Sequence, residues 1–206
     1  MKLLVIQINW PVSAYTRDLI NNLSTLGVDI DFLTTQKSNI PYLNIDTIKS
    51  KRKIILSASE TYYNLLWFFW KSIFIALPHL LHPIDPFLRK KLNIINFDKY
   101  DAILAIEKES LIVAYDYFFL SKKTKLFYWS LELYNEGHPQ YYKYKALNEY
   151  TRKLYSHLSG FIIQDSMRWN IINREVNLPI NPFLYPICVG GSLIKIKKAE
   201  LRKKYN

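Results

Sequence analysis

The sequence predicts an α/β fold of the Rossmann-like, doubly wound type, with a mainly parallel sheet and helices on both faces. Three observations predict it. Short aliphatic runs recur along the chain, as expected for strands that are covered on both faces of a parallel sheet. Segments with apolar residues at helical spacing alternate with those runs, which is typical of βαβ units. The 206 residues are 50% hydrophobic and carry five glycines, a composition that favours one packed domain over a disordered or fibrous chain.

The first two strands and the helix between them have the clearest boundaries. Residues 1–8 are mostly apolar and are followed by Pro11, so they are predicted to form a buried first strand. Ser13 is a helix-capping residue, apolar residues then recur at spacings of three and four, and Gly27 provides the stop. Residues 28–34 are predicted to form the second strand.

The same alternation continues in the second half of the chain. Residues 101–106 and 125–130 have the composition of buried strands, and a short helix over 110–119 is predicted between them. A long amphipathic helix over 139–158 follows, with Gly160 in the position expected of its C-terminal cap.

The last predicted elements are a strand over 161–164, a helix capped by Asp165, and a short strand over 181–185. Residues 1–189 are therefore predicted to form one Rossmann-like domain. The lysine-rich residues 190–206 carry no convincing core strand and are interpreted as a basic linker.

The charge and the cysteine content limit the partners and the location. A net charge of +11 favours an anionic partner, namely nucleic acid, a phosphorylated substrate or an anionic membrane surface. The single cysteine, Cys188, excludes an intrachain disulfide and suits a reducing cytoplasm. No metal site is predicted, because Glu136 and His138 supply only two ligands. A signal peptide is not predicted, since the N-terminal apolar run is short and lacks a cleavage site.

Residues 62–81 are unusually rich in aromatic side chains and have two interpretations. A membrane-spanning helix is disfavoured because polar residues interrupt the apolar run. The segment is predicted to be either a buried helix packed on the sheet, or a helix lying at the level of lipid headgroups with the basic residues of 49–53 nearby in sequence. For the second interpretation, the membrane-contact residues are Trp67, Phe68, Trp70 and Lys71.

Candidate substrate-binding residues follow from the predicted sheet. Ligands of open α/β sheets bind beyond the carboxyl ends of the strands, so the polar and aromatic residues that follow each strand are expected to converge. They are Asn9, Trp10, Ser13, Tyr15, Arg17, Glu107, Gln164 and Arg168. Simpler structural roles are also open for three of them: a helix cap for Ser13, a solvated helix face for Arg17, and a salt bridge for Glu107.

The order of these elements resembles the N-terminal half of bacterial GT-B glycosyltransferases. The resemblance is carried by the segments 100–107, 128–134, 164–168, 185–186 and 201–206. More narrowly, the chain is similar to the retaining, family 4-like enzymes that use nucleotide sugars to build cell-surface polysaccharide and lipid-linked glycans. In that family a Gly-Gly pair commonly follows the first strand, whereas residues 9–15 of this chain contain no glycine.

The resemblance implies that this chain is the acceptor-side domain of such an enzyme. The nucleotide-sugar donor would be a substrate bound mainly by a C-terminal domain, which is expected to begin where this chain ends, and no further cofactor is implied. The parent protein would then be a glycosyltransferase, and this chain alone would be inactive until completed by a donor domain or a separate donor subunit.

Glu132 is the predicted catalytic residue. It is a carboxylate in an otherwise apolar run, and the resemblance places its segment beside the acceptor and donor sugars. It would orient an acceptor hydroxyl or accept its proton. The alternative is a structural carboxylate that caps a helix or pairs with Arg168. No second carboxylate is assigned, since retaining chemistry in this fold is thought to depend on the donor phosphate.

Three functions therefore remain open. The first is sugar transfer to a glycan or lipid-linked acceptor by a cytoplasmic enzyme that sits peripherally on the inner face of the cell membrane. The second is a non-catalytic acceptor-binding or membrane-recruiting subunit of a split glycosyltransferase. The third is a nucleic-acid-binding α/β module, which is the least favoured because the tyrosines and lysines of 141–145 would point to different faces of one helix.

Overall fold

The fold was obtained as a computed structural model. The structure describes residues 1–8, 10–35, 44–56, 68–70, 72–74, 76–77, 82–94, 100–119, 123–131 and 141–185, without the side chains of residues 94, 141–144 and 175.

The described strands form a single sheet in which every neighbouring pair is parallel. They are β1 (Lys2–Gln7), β2 (Asp29–Thr34), β3 (Arg52–Ile55), β4 (Ala102–Ile106), β5 (Lys125–Ser130), β6 (Gly160–Ile163) and β7 (Phe183–Leu184). Their order is β3-β2-β1-β4-β5-β6-β7, so the chain winds outward from β1 in one direction and then from β4 in the other. The predicted Rossmann-like, doubly wound α/β fold is confirmed.

The described helices are α1 (Ala14–Thr25), α2 (Pro86–Ile94), α3 (Lys108–Val113), α4 (Tyr141–Arg152) and α5 (Ser166–Val176). A π-helical turn over Ala114–Phe118 extends α3, and 3-10 turns occur at Ile45–Thr47 and Tyr155–His157. Two predicted caps are confirmed, because Ser13 accepts the amide of Thr16 at 3.1 Å and Asp165 accepts the amide of Arg168 at 2.8 Å.

The central strand β1 is buried on both faces, which explains why its sequence is almost uniformly apolar. Alternate side chains enter two separate cores, since Leu4 and Ile6 pack with one cluster and Leu3 and Val5 with the other. The first core takes apolar residues of α2, α3, α4 and α5, and the second takes Ile20 of α1. Helices therefore cover both faces of the sheet, as predicted.

Two elements were not predicted from the sequence, β3 and α2. One interpretation of residues 62–81 placed the cations of 49–53 near lipid headgroups, and two of these cations form ion pairs at the N-terminal edge of the sheet. Lys51 Nζ lies 3.1 Å from Asp29 Oδ2, and Arg52 Nη2 lies 3.1 Å from Asp31 Oδ2. Arg52 is also the first residue of the edge strand β3, a position where charged side chains are common.

Asp31 is the centre of a buried polar cluster at that N-terminal edge. The hydroxyl of Tyr100 donates to Asp31 Oδ2 at 2.9 Å, and Lys2 Nζ lies 3.8 Å from the same oxygen. Burial, and next the hydrogen bond to Asp31, raise the pKa of Tyr100 to about 12. The ion pairs of this edge are thus used to hold β1, β2 and β3 together, at the opposite end of the strands from the expected ligand crevice.

The predicted role of Gly160 as a helix cap is wrong. The helix predicted over 139–158 is observed as α4, which ends at Arg152, and Gly160 is instead the first residue of β6. A Cβ atom at Gly160 would lie 2.8 Å from a ring atom of Phe127 and 2.9 Å from a ring atom of Phe183. Glycine is therefore required here by the close approach of two aromatic rings to the backbone.

The described part of the aromatic segment has one side in the core and one side in solvent. Phe74 is buried in the first core cluster, whereas Phe68 and Phe69 are 60% and 66% exposed. Trp70 is half-buried, and its Nε1 donates to the carbonyl of His82 at 3.0 Å. Among the described helices, none has the length and hydropathy needed to cross a bilayer. Trp67 and Lys71 lie outside the described residues.

Candidate functional site

A pocket of about 390 Å³ opens where the direction of winding changes, beyond the carboxyl ends of β1 and β4. This is the position at which open α/β sheets bind ligands. The lining residues include five that the sequence predicted, namely Trp10, Ser13, Tyr15, Glu107 and Gln164. Sequence reasoning missed the other three lining residues, which are Gln7, Pro11 and Leu131.

Gln7 is the last residue of β1 and forms part of the pocket wall. Its side chain is 1% exposed, and its Nε2 donates to the carbonyl of Pro11 at 2.8 Å. Only the NH₂ group of a side-chain amide can donate to a carbonyl, so this bond fixes the orientation of the Gln7 amide with Nε2 towards Pro11. The Oε1 atom is buried and receives no hydrogen bond from the described residues. The sequence could have indicated Gln7, because it is a polar residue at the end of an otherwise aliphatic strand.

The loop after β1 reaches the pocket through Trp10, Pro11 and the start of α1. The indole Nε1 of Trp10 donates to Glu109 Oε2 at 3.4 Å, and the amide of Ile8 donates to the hydroxyl of Ser110 at 2.8 Å. These bonds connect the chain after β1 to the chain after β4. The loop is therefore held in place from the other side of the pocket.

Ser13 and Arg17 have local partners on α1. The hydroxyl of Ser13 caps the helix and also lies 3.0 Å from the hydroxyl of Thr16. Arg17 Nη2 lies 3.1 Å from Asp18 Oδ1, and Arg17 is not among the residues that line the pocket. Ser13 therefore caps α1 and also lines the pocket, while Arg17 pairs with its neighbour in the sequence.

Glu107 occupies the turn between β4 and α3 with an unusual backbone. Its φ of 68° and ψ of 169° lie in a region that is essentially restricted to glycine. The residue is 1% exposed, its amide donates to the carbonyl of Trp129 at 3.0 Å, and its Oε1 accepts the amide of Leu131 at 2.6 Å. These bonds hold the strained turn against the end of β5.

The main-chain N–H and C=O of Leu131 are bound by three side chains, one from the β4–α3 turn and two from the chain that follows β6. Glu107 accepts its amide, while Gln164 Nε2 and Arg168 Nη1 donate to its carbonyl at 2.6 Å and 2.9 Å. We call this arrangement the Leu131 clamp. Three predicted substrate-binding residues thus converge, as expected for residues beyond neighbouring strands, but they converge on the main chain of the pocket wall.

Of the predicted catalytic and substrate-binding residues, Asn9 and Glu132 lie outside the described part of the chain. Glu132 directly follows Leu131 in the sequence. Glu136 and His138 also lie outside the described residues. Within the described residues, no group of three or more histidine, cysteine, aspartate or glutamate side chains is arranged to hold a metal ion.

The lining of the pocket differs in charge from the chain as a whole. The chain carries a net charge of +11, yet the described lining residues include one carboxylate, that of Glu107, and no lysine, arginine or histidine. The lining also includes two aromatic rings, those of Trp10 and Tyr15, and two amides. Chemically, such a surface can stack against an apolar face and accept hydrogen bonds from hydroxyl groups.

Comparison with known proteins provides no family assignment: no family model matches the chain, and no curated protein matches it.

Proposed function

We propose that this chain is the acceptor-side domain of a retaining GT-B-type glycosyltransferase. The complete enzyme transfers a sugar from a nucleotide-diphosphate sugar to a glycan or lipid-linked acceptor at the cytoplasmic face of the membrane. A second domain, or a separate subunit, supplies the donor-binding half. The observation that carries the proposal is the pocket at the change of winding direction, with its two aromatic rings, two amides and one carboxylate.

The size and chemistry of the pocket support an acceptor sugar. A volume of about 390 Å³ is at the small end of the range for ligand pockets, about 300–1,000 Å³, and suits a small polar ligand. Sugar rings have an apolar face, which packs against aromatic rings such as Trp10 and Tyr15, and a rim of hydroxyl groups, which donate to amide and carboxylate oxygens.

In this proposal the Leu131 clamp positions the chain next to the pocket and Glu132 acts on the acceptor. The three clamp bonds restrict the main chain of Leu131, which is the residue directly before Glu132. Glu132 then orients the reacting hydroxyl or takes its proton, which are roles for a carboxylate within hydrogen-bond reach.

The test is sugar transfer by the product of the complete gene, or by this chain combined with a donor subunit. Radiolabelled UDP-, GDP- and dTDP-sugars are supplied together with a lipid extract, and labelled glycolipid is measured. We expect transfer with at least one donor, and a loss of about 100-fold or more for Glu132→Gln. Glu149→Gln, an exposed substitution on α4, is the control and retains activity. Absence of transfer with every donor, or normal transfer by Glu132→Gln, contradicts the proposal.

The exposed aromatic surface supports a second role, recruitment to an anionic membrane. Phe68, Phe69 and Leu77 are all exposed and lie within residues 68–77, and a concentration of exposed apolar side chains is typical of a surface that contacts a partner or a membrane. The hydrogen bond from Trp70 to the carbonyl of His82 joins this segment to the chain just before α2, which carries the exposed cations Arg89 and Lys90. Apolar side chains beside cations are typical of surfaces that bind anionic lipid. This role also fits the alternative in which the chain is a non-catalytic subunit of a split glycosyltransferase.

Membrane binding is tested by sedimentation with vesicles of phosphatidylcholine, with and without an equal part of phosphatidylglycerol. We expect binding to the anionic vesicles, weakened by salt. The double substitution Phe68→Ser and Phe69→Ser reduces it, whereas Met167→Ser, which removes a side chain 74% exposed on α5, does not. Equal recovery in the supernatant with both vesicle types argues against a membrane role.

A further inference from the structure

The pocket has a pattern of hydrogen-bonding groups that specifies its ligand more closely. Gln7 and Gln164 line the pocket, and each uses its NH₂ group on a main-chain carbonyl of the wall. Gln7 Nε2 donates to Pro11 at 2.8 Å, and Gln164 Nε2 donates to Leu131 at 2.6 Å. Because the donor ends are occupied by the wall, both amides keep their oxygens as acceptors.

Neither amide oxygen is used within the described part of the chain. Gln7 Oε1 is buried without a donor, and no described residue donates to Gln164 Oε1. Leaving a buried acceptor without a donor costs about 1–3 kcal/mol, so an occupant that donates a hydrogen bond to Gln7 is favoured over one that does not. The third polar group of the wall, the Glu107 carboxylate, is acceptor-only when ionised.

One feature of the pocket attracts anions instead, the N-terminus of α1. In Rossmann-like folds this is the position where a phosphate meets free helix amides. Here the hydroxyl of Ser13 accepts a hydrogen bond from the amide of Thr16 at 3.1 Å and Pro11 has no amide, which leaves the amides of the first two residues of α1 as helix donors for an anion. A phosphate would also face the Glu107 carboxylate and the two amide oxygens without a cation from the described lining. These acceptors oppose the partial positive charge of the helix end, so the described lining favours a neutral hydrogen-bond donor over an anion.

We infer that this pocket binds an uncharged, hydroxyl-rich saccharide through the amide oxygens of Gln7 and Gln164, and that it excludes phosphate. The inference rests on the proposed function, in which the ligand of this pocket is the acceptor. The part of the acceptor that binds here is then a neutral sugar. The inference further requires that the donor diphosphate is held by the other half of the enzyme. The positive net charge of the chain, taken alone, would have suggested an anionic ligand.

The experiment is a binding measurement on this chain by NMR, with the Trp10 indole and the Gln7 and Gln164 side-chain amides as reporters. The probes are maltose, cellobiose and chitobiose, and for comparison glucose 1-phosphate and inorganic phosphate. We expect at least one of the three disaccharides to shift the reporters, while inorganic phosphate does not. Glucose 1-phosphate binds more weakly than any disaccharide that binds.

Two substitutions test the role of the amides. Gln164→Met removes a half-exposed amide at similar side-chain length, and Arg168 continues to donate to the Leu131 carbonyl. Gln7→Met removes the buried one. We expect each to weaken saccharide binding by about three- to tenfold, the loss of one hydrogen bond. Lys51→Met, at the opposite edge of the sheet, is the control and leaves binding unchanged.

The outcomes distinguish the inference from the proposed function. Reporters that shift with phosphate, reporters that no disaccharide shifts, or undiminished binding by folded Gln164→Met each overturn the inference. Amide-dependent saccharide binding combined with an absence of sugar transfer by the complete gene product retains the inference and rejects the glycosyltransferase. Sugar transfer combined with phosphate binding at this pocket rejects the inference alone.

Discussion

At position 107 we predict that glycine is more stable than alanine, which is the reverse of the usual order. Where φ is negative, alanine is more stable than glycine because glycine gains more entropy on unfolding. At Glu107 the φ of 68° and ψ of 169° are accessible to glycine and strained for every residue with a Cβ atom. Glu107→Ala and Glu107→Gly both lose the carboxylate that accepts the Leu131 amide at 2.6 Å. The difference between these two variants therefore reports on the backbone and not on the lost carboxylate.

The magnitude follows from two opposing contributions. Strain of this kind costs about 1–3 kcal/mol, and it is released in Glu107→Gly but kept in Glu107→Ala. The entropy of glycine in the unfolded chain costs about 0.5–1 kcal/mol in the other direction. We expect Glu107→Gly to be more stable than Glu107→Ala by about 1 kcal/mol, within a range of about 0–2.5 kcal/mol. Both should be less stable than a variant that keeps the hydrogen bond, such as Glu107→Gln.

The assay is urea unfolding followed by the fluorescence of the five tryptophans. The control is the pair Lys145→Ala and Lys145→Gly at an exposed position within α4, where alanine should be the more stable by about 1 kcal/mol. If Glu107→Ala exceeds Glu107→Gly in stability by as much as alanine exceeds glycine at Lys145, the turn is not strained and the reasoning is refuted. If the order reverses between the two positions, strain at the pocket is established.

Two further predictions concern the frame that holds the pocket. Gly160→Ala should lower the free energy of unfolding by about 1–3 kcal/mol, because the new Cβ would lie 2.8 Å from Phe127 and 2.9 Å from Phe183. Urea unfolding measures this loss, and an unchanged free energy would mean that both rings can move aside. The pKa of Tyr100 is about 12 in the folded state, whereas the pKa of an unfolded tyrosine is about 10. The contribution of Tyr100 to the free energy of unfolding is therefore complete below about pH 10, and it declines above that pH by up to about 1.4 kcal/mol per pH unit. Tyr100→Phe should remove this contribution to the pH dependence of the free energy of unfolding. An unchanged slope between pH 10 and 12 would show that burial and the bond to Asp31 do not hold the proton.

Much of the fold could be predicted because its signals are local. The aliphatic run of β1, the Ser13 cap and the Gly27 stop are each contained within a few residues, and each was confirmed. β3 could not be recognised, since it has four residues and two of them are cations. Its place in the sheet depends on the pairing of Arg52 with Asp31, which are distant in sequence.

The candidate site was predictable in position but not in detail. Because parallel strands end at one edge, residues after each strand could be expected to meet, and Trp10, Tyr15 and Glu107 line one pocket. No local pattern shows that Glu107 takes a glycine-like backbone, because that conformation depends on bonds to Trp129 and Leu131 from another strand. The Leu131 clamp likewise joins residues brought together only by the register of the sheet.

The charge of the chain and the lining of its pocket indicate different partners. Several of the cations whose contacts are described face acids or main-chain oxygens outside the pocket, as Arg52 does with Asp31 and Lys91 with the carbonyl of Leu56. The described lining offers acceptors and aromatic rings instead. A positive net charge acts through long-range attraction that salt screens, whereas hydrogen bonds inside a pocket are largely insensitive to salt. The net charge therefore bears on what the surface of this domain attracts, and the acceptor-rich pocket bears on its substrate, so a basic composition does not argue against a neutral sugar ligand.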